Sequence, residues 1–164
     1  MDRAIESAIT TALMTYCRGV DRLHADDIVA AFHPDAELHY GPSPTTARAF
    51  AELVCASLAE KYTSTQHRIS NIRIEPDGTD DGGDRYRVET YILAYHVVPD
   101  RGEGRELLTF CGRYLDTFVE RDGRWGISHR LLLCDWSARD PLGPEMGGRW
   151  AHSGRGEVPD PIYG

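Results

Sequence analysis

The sequence predicts an α+β fold, a cone-shaped and strongly curved antiparallel sheet with N-terminal helices closing an internal cavity. Apolar residues recur at helical steps in the first third of the chain. From residue 66 onward the period changes to that of long strands dense in β-branched and aromatic residues. The pair Asp122-Gly123 between two of those strands has the chemistry of a hairpin turn.

The elements follow in order. Ile5, Ile9, Leu13, Tyr16 and Val20 form one apolar stripe, and Asp2 is placed to cap the helix that carries it. A short second helix runs over residues 26–32, opened by Asp26 and Asp27 and stopped by Pro34. Residues 36–40 suit a short strand, after which Gly41, Pro42 and Pro44 break the chain. A third helix spans residues 46–62, with Phe50, Leu53, Val54, Leu58 and Tyr62 on its inner side. Strands are expected over residues 66–75, 86–98, 106–120 and 125–136, with polar turns between them. On the strand 86–98 two faces alternate: Glu89, Tyr91, Leu93 and Tyr95 on one, and Val88, Thr90, Ile92, Ala94 and His96 on the other. Either face could line the cavity. Helices gathered at one end of a curled sheet leave an apolar hollow with a few inward polar groups, the usual design of a small-molecule site.

Composition excludes several classes. With 164 residues and a net charge of −8, the chain lacks the basic surface of a nucleic-acid binder. No apolar run approaches the roughly 20 residues that span a bilayer, so no membrane partner is expected. The N-terminus has no basic-then-apolar leader pattern, which points to a cytoplasmic protein. Cys17, Cys55, Cys111 and Cys134 form no Cys-x-x-Cys pair, and each sits in an apolar stretch, as small buried hydrophobes do. The seven histidines form no metal-binding motif, and there is no glycine-rich phosphate loop; neither metal nor cofactor is expected.

Four blocks carry a family resemblance: residues 16–21 (YCRGVD), residues 32–36 (FHPDA), residues 65–71 (TQHRISN), and the final hairpin, in which GRYLD at 112–116 is followed by RDGRWGI at 121–127 and by Arg130. Over residues 3–136 the chain resembles a SnoaL-like domain of the wider nuclear-transport-factor-2-like superfamily. The resemblance extends to hexachlorocyclohexane dehydrochlorinase and bile-acid 7α-dehydratase within that family, and more distantly to scytalone dehydratase. It implies an aspartate–histidine pair at Asp21 and His67, an arginine at Arg130, and a tyrosine at Tyr16, five residues before the aspartate.

Those residue types suit elimination from a ring. An imidazole near neutral pH is a natural base, and a buried carboxylate on one ring nitrogen frees the other to accept a proton. His67 is then the base and Asp21 its orienter. The Tyr16 hydroxyl can serve a substrate oxygen or leaving group, and Arg130 can stabilise an enolate, a leaving group or a substrate carboxylate. Each residue also has a plain reading: a strand-start histidine, a solvated helix-end aspartate, a core tyrosine, and an arginine on the surface or paired with Asp116. On an ideal helix Tyr16 and Asp21 point about 140° apart, so their convergence calls for a helix that ends or bends near Gly19. Asp135 and Trp136 are placed at the cavity mouth.

The function these readings favour is a cofactor-independent lyase of the dehydratase type, or an isomerase or cyclase, acting on a hydrophobic ring compound such as a steroid or polyketide. The alternatives are a non-catalytic ligand-binding or oligomer-forming member of the same fold, including the small subunit of a ring-hydroxylating dioxygenase. The cone domain is expected over residues 1–136. Residues 137–164 hold six Gly and four Pro and read as a C-terminal arm. Leu142, Met146, Trp150, Val158, Ile162 and Tyr163 are spaced along it, unlike a flexible linker. By the resemblance, the arm contributes to a homo-oligomer, a trimer in preference to a dimer.

Overall fold

The structure is a computed structural model that describes residues 2–80, 83–144, 154–156 and 158–163. Helix α1 (Arg3–Arg22) opens the chain, with the Asp2 side chain accepting the Ala4 N–H at 2.9 Å. Its stripe Ile9, Leu13, Tyr16 and Val20 is buried, each such side chain contributing about 1.5–3 kcal/mol. Helix α2 (Ala25–Ala30), strand β1 (Phe32–His39), the two-residue strand β2 (Thr45–Thr46) and helix α3 (Ala47–Lys61) follow. Four long strands complete the fold: β3 (Ser64–Asp80), β4 (Gly83–Val98), β5 (Arg105–Arg121) and β6 (Arg124–Leu142). The sheet has the order β2-β1-β6-β5-β4-β3. Consecutive strands pair antiparallel, while β1 lies parallel to β6 because its chain enters from the helical end.

Five irregularities in pairing curl this sheet around its helices: at residues 70–73 and 76–79 of β3, at the extra residues Ser128 and Asp135 of β6, and between residues 32 and 37 of β1. Asn71, within the first, has a φ of 49°. The β5–β6 turn is tight: Asp122 and Gly123 take φ values of 53° and 76°, the positive pair that a two-residue hairpin requires.

Several sequence expectations are adjusted. The strands run longer than their apolar cores, because ladder hydrogen bonds carry the polar ends of hairpins along with them. Strand β6 therefore continues to Leu142, beyond the expected domain boundary at 136. Leu53, placed on the inner side of α3, is 69% exposed, since Phe50, Ala51 and Leu58 already supply the buried face. Cys134 is exposed rather than buried. Helix α1 does not break at Gly19 but runs to Arg22 and ends on Leu23 in the left-handed region. Gly19 serves packing instead: a Cβ there would meet Asp27 Cβ and Ile28 N at 2.8 Å, so α2 approaches α1 only because the side chain is absent.

The C-terminal residues that are described fold back onto the helices. Gly156 N–H donates to the Arg22 carbonyl at 2.9 Å, and the Tyr163 hydroxyl donates to Asp27 at 2.8 Å while its ring stacks on His24. Met146 and Trp150 lie outside the described residues. No described helix is long and apolar enough to cross a membrane.

Candidate active site

A cavity of about 280 Å³ lies between the helices and the concave face of the sheet. The face Ile92, Ala94 and His96 of β4 lines it, which decides between the two faces left open by alternation. Phe50, Val54 and Leu58 of α3 close it from the helical side.

His67 lines this cavity from β3, opposite Ala94 in the ladder. Asp21, at the end of α1, binds it twice. One carboxylate oxygen accepts the His67 backbone N–H at 2.9 Å, and the other faces ring Nδ1 at 2.7 Å. Both side chains are about nine-tenths removed from solvent. The carboxylate can only accept, so Nδ1 carries a proton in this contact, and in the neutral ring Nε2 is the nitrogen with the lone pair.

Tyr16 also lines the cavity although the helix stays straight. The two side chains do leave α1 in different directions. Tyr16 lines the cavity directly, whereas Asp21 does not line it and reaches the site only through His67. The Tyr16 hydroxyl shares a 2.7 Å hydrogen bond with that of Tyr40, a residue the sequence reading passed over as the end of a short strand. Tyr114 adds a third ring, edge-on to Tyr16 at 5.8 Å between centroids. Burial is the leading reason that all three phenols are held above their ordinary pKa, so they keep their protons and act as hydrogen-bond donors.

Arg130 stands behind these rings and is fully buried. Its Nε and Nη2 each donate to Asp116 at 2.7 Å, and its Nη1 donates to the Tyr40 hydroxyl at 3.3 Å. The guanidinium also lies 4.0 Å from the Tyr114 ring centre and 4.4 Å from that of Tyr16. Burial opposes the Arg130 charge, but the bidentate Asp116 contact and the tyrosines outweigh it and hold its pKa above the usual value. Arg130 is not among the residues that line the cavity. The geometry thus gives it the Asp116 pairing that the sequence left as an alternative.

His96 is a further cavity group. Its ring meets His67 edge-on at 5.4 Å, and its Nδ1 is buried with no hydrogen-bond partner among the described residues. Desolvation, then the neighbouring His67, lowers its pKa to about 4, so it is a neutral polar group in an apolar wall. Alternation placed His96 on one strand face; only the fold shows that this face is the inner one. Asp135 and Trp136, by contrast, do not line the cavity. Asp135 pairs with Arg113, and Trp136 is 51% exposed.

Two other features lie apart from this site. A recess of about 480 Å³ on the outer face of the sheet is larger, but its charged groups are paired, Arg73 with Glu75, Arg87 with Asp77 and Glu89 with Arg113, and neither Asp21 nor His67 lines it. Among the described residues, Glu37, His39 and His129 form one group with metal-ligand chemistry, their donor atoms within 4.8 Å of one another. None of the three lines the cavity.

The SnoaL-like domain family matches residues 2–131. No curated protein matches the chain by sequence. A candidate scytalone dehydratase from Novosphingobium aromaticivorans DSM 12444 is 26% identical, with a TM-score of 0.65 over 87% of this chain and 95% of that one. A type 2 hexachlorocyclohexane dehydrochlorinase is 20% identical, with a TM-score of 0.72 over 87% of this chain and 95% of that one. The type 3 enzyme from Novosphingobium barchaimii LL02 is 19% identical, with a TM-score of 0.70 over 87% and 96%. The dehydrochlorinase likenesses are likenesses of fold.

Proposed function

This chain belongs to the SnoaL-like domain family, and from that we propose that it is a cofactor-independent lyase of the dehydratase type acting on a small hydrophobic ring compound. The observation that carries the proposal is His67 on the wall of an apolar cavity, its ring Nδ1 held from behind by Asp21 at 2.7 Å. The similarity to a candidate scytalone dehydratase supports the reaction class.

The chemistry follows from what each group can do. Nε2 of His67 takes a proton from a ring carbon, and Asp21 stabilises the imidazolium so formed. A neighbouring carbonyl acidifies such a proton and accepts the electron pair, so the substrate class that suits a neutral imidazole base is a β-hydroxy ketone. The pair from the broken C–H bond moves onto the carbonyl oxygen as an enolate. One hydroxyl proton is committed between Tyr16 and Tyr40, so the pair offers that oxygen its remaining O–H as a hydrogen-bond donor. When the enolate collapses, the new C=C bond forms and the C–O bond breaks. The leaving hydroxide takes the proton held by His67, which returns the enzyme to its starting state with water as the second product. Proton transfer from Tyr16 is disfavoured because burial holds its pKa high, so its role is donation of a hydrogen bond. Arg130 acts through Tyr40 as a positioning residue.

The cavity of about 280 Å³ sits at the lower end of the range for small-molecule sites. It favours a one- or two-ring compound over a steroid. Isomerisation or ring closure would use the same enolate. A homo-oligomer, a trimer in preference to a dimer, belongs to the same reading. It is supported by the outer face of the sheet, where Tyr91 is 43% exposed and Trp136 51% exposed. Light scattering on the purified chain tests it, and a monomeric mass would overturn it.

The test of activity is a panel of one- and two-ring β-hydroxy ketones, followed by the ultraviolet absorbance of the conjugated enone. Turnover that disappears in H67A supports the reading. Tight binding of the panel with no enone formed would assign the chain to the non-catalytic members instead.

A further inference from the structure

A charged group at the helical end that the reaction above does not use is Arg155. It belongs to the C-terminal segment, 93 to 134 residues from the three carbonyls its guanidinium meets. Its Nη1 donates to the Tyr62 carbonyl at 2.6 Å, its Nη2 to the Leu58 carbonyl at 3.3 Å and its Nε to the Asp21 carbonyl at 3.3 Å. Leu58 and Tyr62 close α3, and Asp21 lies in the last turn of α1. One guanidinium therefore joins the C-terminal ends of two helices, where the dipoles favour a cation; the Leu58 carbonyl it meets also accepts the capping Tyr62 N–H at 3.1 Å. Its fork of N–H donors can hold three such acceptors at once, which an ammonium on a flexible stem does less well.

The segment around it is fastened independently. Beyond the Gly156 and Tyr163 contacts, Asp160 pairs with Arg22 at 3.3 Å. Arg155 and Val158 form an antiparallel bridge that turns the chain back on itself. A Cβ at Gly154 would meet the Pro159 carbonyl oxygen at 2.2 Å, so that return is closely packed. The segment's polar contacts through Gly156, Asp160 and Tyr163 fall on Arg22 of α1 and Asp27 of α2.

We propose that Arg155 is a positioning residue: it holds the end of α1 against the end of α3 and thereby orients the Asp21 carboxylate toward His67. The proposal rests on the reading of Asp21 and His67 as the working pair. Asp21 has two jobs on His67, the backbone N–H and ring Nδ1, and both need its main chain fixed to a fraction of an ångström. Helix ends fray, and no other contact outside α1 is made to the Asp21 carbonyl among the described residues. The Arg155 charge also feels Asp21: desolvation lowers its pKa, and the Asp21 carboxylate is the first influence in the opposite direction.

The test uses the full chain with R155A and R155K. The first readout is the downfield proton resonance of an imidazole Nδ1–H bound to a carboxylate, assigned with H67A. The second is the steady-state division between kcat and KM on the β-hydroxy ketone panel. In R155A the resonance weakens at least twofold, and kcat falls about tenfold to a hundredfold with KM within twofold of wild type. R155K, with the charge but not the fork, is intermediate. A folded R155A with resonance and kcat unchanged overturns the proposal, as does a change in KM alone. If R155A does not fold, R155K and R155Q are read by the same criteria. If H67A retains full turnover, the working-pair reading fails. The resonance in R155A still reports whether Arg155 orients Asp21.

Discussion

Asp21 and His67 stand 46 residues apart in the chain, yet one carboxylate holds both the backbone N–H and the ring Nδ1 of the histidine, at 2.9 and 2.7 Å. The double contact fixes the strand as well as the ring. D21N keeps the size of the side chain but no longer demands the Nδ1–H tautomer. Turnover is expected to fall about 10²- to 10⁴-fold, while circular dichroism shows a folded chain. A D21N enzyme within threefold of wild type would remove Asp21 from the mechanism.

Tyr40 links the cavity to the buried cation. Y40F deletes the oxygen that joins Tyr16 to Arg130 but leaves the ring stacked on Phe50 at 4.1 Å. The expected loss is about 10²-fold in kcat with a small change in stability. Parallel assays and thermal melts check both halves of this expectation.

The Arg130–Asp116 pair has no contact with water. R130M leaves a carboxyl group buried without its partner and is expected to destabilise the chain by about 3–5 kcal/mol. The double variant R130M/D116L, which removes both charges, should recover most of that loss. Urea unfolding of the two variants measures the difference. Equal stabilities would show that Asp116 is satisfied without Arg130.

His96 gives stability a pH dependence. Its pKa in the folded chain is lowered from 6.5 to about 4, so the unfolded chain binds the proton more readily. Its contribution is fully present above about pH 6.5 and is lost progressively as the pH falls toward about 4. With some solvent contact retained, about 1–2 kcal/mol is at stake. H96N should flatten this part of the stability profile, measured by denaturant midpoints between pH 7 and pH 4. An unchanged slope would assign the dependence to other groups.

Gly19 tests the packing of the two N-terminal helices. G19A pushes a methyl group into Asp27 Cβ and the Ile28 backbone, both at 2.8 Å. A destabilisation of about 1–3 kcal/mol is expected, even though alanine is the better helix former. A stabilised G19A, by chemical denaturation, would show that α2 can retreat at no loss.

Much of this architecture is legible before any coordinate. Helical spacing in residues 5–20 marks the buried stripe of α1, and β-branched runs mark β4 and β5, because burial on one face imposes its period on the chain. Asp122-Gly123 announces its hairpin because few residues tolerate two positive φ angles in succession. The residue types for an aspartate–histidine site are equally visible. Tyr40 and Arg155 are not. A tyrosine after a short strand and an arginine in a Gly/Pro-rich segment have no periodic context from which a role could be inferred.

The sequence alone determined which segments are helices and strands, the hairpin, the family resemblance and the residue types available for chemistry. These are local properties, set by side-chain period, turn stereochemistry and composition. The tertiary structure decided which face of β4 lines the cavity, that Arg130 is bound to Asp116 rather than open to the cavity, and that Tyr40 lies between Arg130 and Tyr16. It also decided that residues 154–156 and 158–163 return to the end of α1. Each of these depends on how far the sheet curls and how closely the helices approach it. Those distances are set by bulges and by side chains many residues apart, and no local period records them.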